Sequence, residues 1–411
     1  MAGPGSNANA GGVQGRGGGE QGIRVGVGGT ILRGAAFADG RSSTLQRNLS
    51  LVVRGDRVAY LGPRDGEPEA AGAEIVDAAG ATIVPALVDC HAHFTGSGGA
   101  NWIARFGDRE DELLSRGPRA GQALARMGIL TARDVGAPRR LNLRIRDELS
   151  GRHGMPTILA AGTWIARRDQ FPPFTVFVDS AVELKAAAMA ELDGGADLVK
   201  LAVDTGRLGE TVTFSTDELR PTVQAVHARG KRITAHAQGK GAKTAVDAGV
   251  DSVEHGFGVD DETARSMRGR TALVTTLNVL DSFIGFGDTV GGPFAEARPR
   301  TADLLDQAYA AVRAAKKAGV RIATGSDFGG GSVRPGHLAW EVEHLVKAGL
   351  EPYEALAAAT FEGGAVLGLD DAGTLGRGGP ADFFLVHGDP LSDPAALWRV
   401  WLVFQRGRLV E

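Results

Sequence analysis

The sequence predicts an α/β fold: a closed (β/α)8 TIM barrel with a small β-sandwich domain built from both chain ends. Three observations carry this. Eight short apolar runs alternate with helix-like segments between residues 86 and 369, the two chain ends are β-like, and polar residues collect where the apolar runs finish. Residues 1–22 hold nine glycines and almost nothing to bury, so they read as a disordered tail. Residues 23–85 read as the first part of the sandwich. There "NLSLVVRGDRVAYLGP" alternates polar and apolar residues around the turn pair Gly55-Asp56, and "GAEIVDAAGATIVP" has the same character. Residues 86–369 form the barrel, with strands at "ALVDCHAH", "ILTARDVG", "PTILAAG", "DLVKLAV", "RITAHA", "SVEHG", "ALVTTL" and "RIATGSD". Amphipathic stretches such as "SAVELKAAAMAELDGG" and "TADLLDQAYAAVRAAKKAG" supply the helices between them. Residues 370–411 return to hairpin-like β character and complete the small domain.

Bulk properties narrow the partners. With 411 residues, 43% hydrophobic and 23% charged, the chain can bury a sizeable core. A net charge of −4 leaves no electrostatic footprint for nucleic acid or an anionic membrane. No apolar run reaches the ~18 residues needed to span a bilayer. The N-terminus lacks a basic start and an apolar signal core, and Cys90 is the single cysteine. These features predict a cytoplasmic protein acting on a small-molecule substrate; self-association into a homo-oligomer stays open.

The strand ends hold the chemistry. In "DCHAHF", His91 and His93 are two residues apart, so on a strand both imidazoles share one face and can chelate a metal. Two surface histidines are the plainer alternative. His236 ends the fifth strand, His255 the sixth, and Asp327 the eighth, ahead of a glycine-rich loop. Singly, these could be satisfied core histidines and a helix cap; jointly they fall where a barrel keeps its active site. Lys200 interrupts the fourth strand, "DLVKLAV". It either snorkels to solvent or, as a neutral desolvated amine, reacts with carbon dioxide to give a carbamate whose two oxygens bridge two metals. His337, in the loop after the eighth strand, is a candidate substrate contact.

These residues resemble the amidohydrolase superfamily. The resemblance runs from about residue 23 to 411 and rests on "HAH", "LVKL", "AHAQG", "VEHG", "GSD" and the closing "GTLGRGGPADFFLVHGDPL". Within it, the chain is most similar to the binuclear branch of prolidases and Xaa-amino-acid dipeptidases. The resemblance implies that His91, His93 and Asp327 hold one divalent ion and that His236 and His255 hold a second. Carboxylated Lys200 and a hydroxide would bridge them, with zinc as the default metal. It further implies that metal-bound hydroxide attacks an amide carbon while Asp327 relays a proton to the leaving amine. The expected activity is cleavage of an amide C–N bond in a hydrophobic or aromatic N-acyl amino acid or dipeptide-like substrate.

The chain departs from that branch after the third strand. Relatives usually carry a histidine there; "AAGTWIARRDQFPPFTVF" offers Trp164, Arg167 and Arg168 as substrate contacts instead. Trp102, Phe106, Trp164, Phe171, Phe174, Phe283 and Phe286 are expected around the barrel mouth, lining a pocket or fastening its loops. Rival readings are a carbamate, urea, lactone or phosphotriester hydrolase on the same metals, and a catalytically dead scaffold. A mononuclear deaminase would place a glutamate where Gly239 stands.

Overall fold

A computed structural model describes residues 29–170, 174–205 and 211–411. The glycine-rich segment 1–22 and Phe171 lie outside the described residues. All eight expected runs form strands, in order Leu87–Ala92, Ile129–Asp134, Thr157–Ala160, Leu198–Ala202, Arg232–Ala237, Ser252–His255, Ala272–Thr275 and Ile322–Thr324. Every ladder among them is parallel. The strands are apolar nearly throughout because helices cover one face and their own side chains fill the other. This mixed α/β architecture of parallel strands and covering helices is that of a TIM-barrel-like domain.

The ladders fall into two sheets, the first three strands and the remaining five. At one seam, Asp197 N donates to Ala160 O at 2.9 Å. At the other, Asp327 N donates to His91 O at 2.8 Å and a parallel bridge joins Ala92 to Phe328. The stretch after the third strand holds two further short strands, Ile165–Arg167 and Val176–Val178, which pair with each other; the first also touches Leu201. The sequence read that stretch as loop, because three-residue strands carry no usable period.

Local rules account for the helices. Ala181–Asp193 starts at Ser180, whose side chain accepts from Glu183 N, and buries Leu184, Ala188 and Leu192 at a four-residue interval. Burying each leucine side chain contributes roughly 1.5–3 kcal/mol. Thr216–Ala228 begins with a capping box between Ser215 and Glu218. Among the described residues, no helix is long and apolar enough to cross a membrane.

The chain ends meet in one mixed eight-stranded sheet. Thr30–Phe37 pairs parallel with Ala81–Pro85, and Phe383–His387 returns antiparallel against Ala81–Pro85 with Leu385 opposite Ile83. Gln46–Arg54 and Arg57–Pro63 form the hairpin, with Gly55 at φ +58° in its turn. Leu51, Ile83, Phe383 and Phe404 belong to this sheet's own core, separate from that of the parallel strands.

Candidate metal centre

The ends of the first, fifth, sixth and eighth strands bring His91, His93, His236, His255 and Asp327 to one cavity of about 790 Å³. The rings of His91 and His93 lie 5.3 Å apart, those of His91 and His255 4.8 Å, and those of His236 and His255 4.6 Å. One ligand atom each from His91, His255 and Asp327 lie within 4.8 Å of one another, a potential metal site. Asp327 Oδ1 is 3.5 Å from His91 Nε2 and 3.4 Å from His93 Nε2. His255 and Asp327 both adopt left-handed backbone, φ +68° and +52°. Such geometry costs of order 1 kcal/mol for a non-glycine residue and persists where surrounding structure enforces it. Gly325 is required beside them, since a Cβ there would stand 2.3 Å from that of His91.

The Nδ1 atoms of His91, His93 and His255 are each occupied. His93 Nδ1 donates to Gly136 O at 3.0 Å, and Gly136 is itself held by its N–H bond to Asp134 Oδ1 at 2.9 Å. His255 Nδ1 pairs with the Thr276 hydroxyl at 2.7 Å. His91 Nδ1 donates to Glu254 Oε2 at 2.7 Å, and burial beside Lys200 and the other imidazoles drives the His91 pKa well below its usual range. His255 is lowered in the same way, by burial and by His236. His91 and His255 are therefore neutral, and Nε2 of His91 and of His93 turns to the cavity, as a metal ligand requires. His236 Nε2 lies 3.4 Å from Asp204 Oδ1.

Below the histidines lies a buried charged layer. Glu254, with no exposed surface, accepts from Arg133 Nη2 at 2.6 Å, from Ser252 Oγ at 3.0 Å and from the Thr234 hydroxyl. Chiefly the Arg133 guanidinium, with Lys200, holds its carboxyl below the usual range against the opposing effect of burial. Arg133 also donates to Cys90 O at 2.7 Å. Asp89 ties the first strand to the eighth, accepting from Ser326 N at 2.9 Å and Ser326 Oγ at 2.5 Å.

Lys200 does not snorkel. It is 2% exposed, lines the cavity, and its Nζ is buried without a hydrogen-bond partner. Burial pushes its pKa down to about 8, with Glu254, Asp327 and Asp204 opposing. An orphaned amine is costly in this setting. Four imidazoles, a carboxylate and a partly neutral amine on one cavity floor are a donor set that fits divalent cations.

The expected substrate contacts divide. Trp164 lines the cavity, its ring 4.9 Å from His93, and Trp102, Phe174 and Phe283 line it too. Phe106 backs this wall, 4.6 Å from Phe174 and 5.8 Å from Trp164. Phe286 packs instead on Phe294 at 5.1 Å. Arg167, Arg168 and His337 are not brought to the cavity. Arg167 pairs with Glu218 at 2.5 Å and lies over the Phe214 ring; Arg168 pairs with Asp179 at 2.8 Å. His337 packs its edge against Trp398 at 5.2 Å. Arginines on a loop take the nearest carboxylate, and sequence spacing does not reveal where that is. Glu254 and Arg133 escaped the sequence reading, although each interrupts an apolar strand as Lys200 does, the signal that could have found them.

Residues 82–410 match the family model described as the amidohydrolase family. An uncharacterized protein of Mycobacterium tuberculosis is 33% identical over 353 residues, 83% of this chain and 88% of its own length. Ochratoxinase of Aspergillus niger is 26% identical over 418 residues, 90% of this chain and 85% of its own. A crystal structure of a Xaa-Pro dipeptidase with bound methionine in the active site superposes with a TM-score of 0.81 at 26% identity, covering 93% of this chain and 99% of that one. Family match, relatives and fold agree with the strand-end histidines: this chain belongs to the amidohydrolase family.

Proposed function

We propose that this chain is a binuclear metal-dependent hydrolase that cleaves an amide C–N bond in a small hydrophobic or aromatic substrate. The observation that carries the proposal is the convergence of His91, His93, His236, His255, Asp327 and the orphaned Lys200 amine on one cavity floor. His91, His93 and Asp327 would hold one ion, and His236 and His255 the other. Lys200 Nζ would add to carbon dioxide, forming an N–C bond and releasing one proton, and the resulting carbamate would serve as a further anionic ligand. When bound, two divalent ions, zinc by donor type, would supply a water of lowered pKa and polarise the substrate carbonyl. Asp327 accepts the proton of the attacking water on its carboxylate and returns it to the leaving nitrogen as the C–N bond breaks. Gly136, Glu254 and Thr276 hold the imidazoles in the tautomer and orientation this requires.

An N-acyl amino acid or dipeptide-like substrate takes support from the names of two relatives, ochratoxinase and the Xaa-Pro dipeptidase. The aromatic wall at Trp102, Trp164 and Phe174 supports an apolar group beside the scissile bond. We also infer that the parallel strands close as a (β/α)8 barrel, given the hydrogen bonds at both seams. The sheet from residues 23–85 and 370–411 would fold over as a small β-sandwich around residues 86–369. A cytoplasmic setting, a small-molecule substrate, no nucleic-acid or membrane partner and a homo-oligomeric state complete the reading; light scattering tests the last.

The deciding experiment is a hydrolysis screen on metal-replete protein with metal content measured in parallel. It spans dipeptides, N-acyl amino acids, aryl amides, carbamates, ureas, lactones and phosphotriesters. Two metals per chain and turnover of amides are expected. Turnover confined to esters of carbon or phosphorus refutes amide specificity, and absence of metal refutes the mechanism.

A further inference from the structure

We propose that the helix Leu277–Thr289 is a specificity wall for an apolar group of the substrate, and that buried His344 is the positioning residue that holds this wall in place. The inference rests on the amide-hydrolase reading and deepens it. It names an N-acyl amino acid or dipeptide-like amide with two large apolar groups as the class of substrate.

The wall is built by helical spacing. Val279, Leu280 and Phe283 share one helix face and line the cavity, joined by Leu304 of the helix Pro293–Ala318. This face follows the seventh strand, whereas Trp164 and Phe174 follow the third, four places away in strand order. The apolar lining is thus divided between two segments, and a substrate with two large apolar groups can bury one against each. The wall also touches the loop that follows Asp327, where Ser332 N donates to Ser282 Oγ at 3.1 Å.

The helix does not secure its own start. Its N-cap, Thr276, makes no side-chain cap; the hydroxyl pairs with His255 Nδ1 instead. Support comes from the helix Leu338–Ala348. Glu341 Oε2 accepts from Asn278 N at 2.9 Å, and His344 Nε2 donates to Asp281 Oδ2 at 3.2 Å. Asn278 and Asp281 are three residues apart, as are Glu341 and His344, so one face of each helix meets the other at two points a turn apart. Glu341 and His344 are both buried. The Tyr309 hydroxyl, 2.7 Å from His344 Nδ1, fixes the other side of the ring. None of Asp281, Tyr309 and His344 is among the described lining residues, so the clamp acts on substrate only through the wall it holds.

The test uses the metal-loaded full chain with Asp281→Ala, His344→Leu and the double variant. The substrates are N-benzoyl-L-phenylalanine, which has two aromatic groups, and N-acetylglycine, which has nothing to lay against the wall. Each single variant is expected to raise KM for N-benzoyl-L-phenylalanine about tenfold, the effect of losing one hydrogen bond to a charged group. Its kcat, the metal content and kcat/KM for N-acetylglycine are expected to hold. The double variant is expected to match the worse single one, because both remove the same contact. Equal losses for the two substrates, a loss confined to kcat, or an unchanged KM overturns the proposal. Asp281 is partly exposed, so Asp281→Ala leaves no core cavity and decides the outcome if His344→Leu does not fold. Equilibrium dialysis of N-phenylsulfonyl-L-phenylalanine, which has no carbonyl at the sulfonamide to attack, gives Kd for the same proteins, with the same rise of about tenfold expected. If wild type hydrolyses neither amide, the amide-hydrolase reading fails and this Kd alone decides the inference; no binding, or a Kd unchanged in the variants, overturns it.

Discussion

The Glu254→Gln variant removes one acceptor oxygen from a carboxylate that uses both. Oε2 takes the His91 Nδ1 proton at 2.7 Å and Oε1 takes Arg133 Nη2 at 2.6 Å, with no exposed surface on Glu254. A glutamine can offer its oxygen to one of these neighbours only. If the oxygen faces Arg133, the amide NH2 meets His91 Nδ1, which must then accept. The imidazole proton moves to Nε2, and the nitrogen facing Asp327 is lost as a ligand. Disturbing such a support typically costs 10–100-fold in metal affinity. In either orientation the buried guanidinium of Arg133 loses its counter-charge, a change worth about 3–5 kcal/mol of stability. Competition with a chromophoric chelator measures the first outcome, and urea denaturation of metal-free protein measures the second. A variant that matches wild type in both would refute the claim that Glu254 sets the His91 tautomer.

Asp327→Asn should keep most of the bound metal while kcat drops about 10²–10⁴-fold, since an amide cannot relay a proton; near-normal kcat in a steady-state assay contradicts the relay. Lys200→Met should stabilise metal-free protein by about 1–3 kcal/mol, because it replaces an orphaned buried amine by an apolar chain of similar length, yet lower metal content by tenfold or more. Native mass spectrometry checks the carboxylated state of the wild type at the same time. Glu341 sets a pH dependence: burial raises its pKa, with the Asn278 N–H accepted at 2.9 Å and Oε1 left unpartnered. Between its unfolded pKa and that raised value the folded state binds more protons, so its contribution to stability falls as pH rises. Glu341→Gln should therefore raise Tm at pH 8, with the gain vanishing towards pH 4; a pH-independent difference would contradict the assignment.

The readable part of the site was the part governed by strand geometry. His91 and His93 share a face because a strand repeats every two residues, and His236, His255 and Asp327 could be placed because each follows an apolar run. Lys200 was legible as a fault in such a run. The partners of those groups were not. Glu254 to His91 spans 163 residues and Arg133 to Glu254 spans 121, separations across which sequence pattern carries no register. The two arginines expected at the mouth failed for the same reason, since a guanidinium with several carboxylates in reach settles on whichever the fold brings closest.

The sequence by itself determined the order of eight parallel strands, the return of the chain end to its beginning, and which residues stand at the strand ends. Those follow from local hydrophobic period and length. The tertiary structure decided which ring nitrogens are free for a metal, that Lys200 is buried without a partner, and that the described cavity wall carries no arginine. Each of these depends on what lies within about 3 Å of a polar atom, and only packing of residues distant in sequence sets that distance.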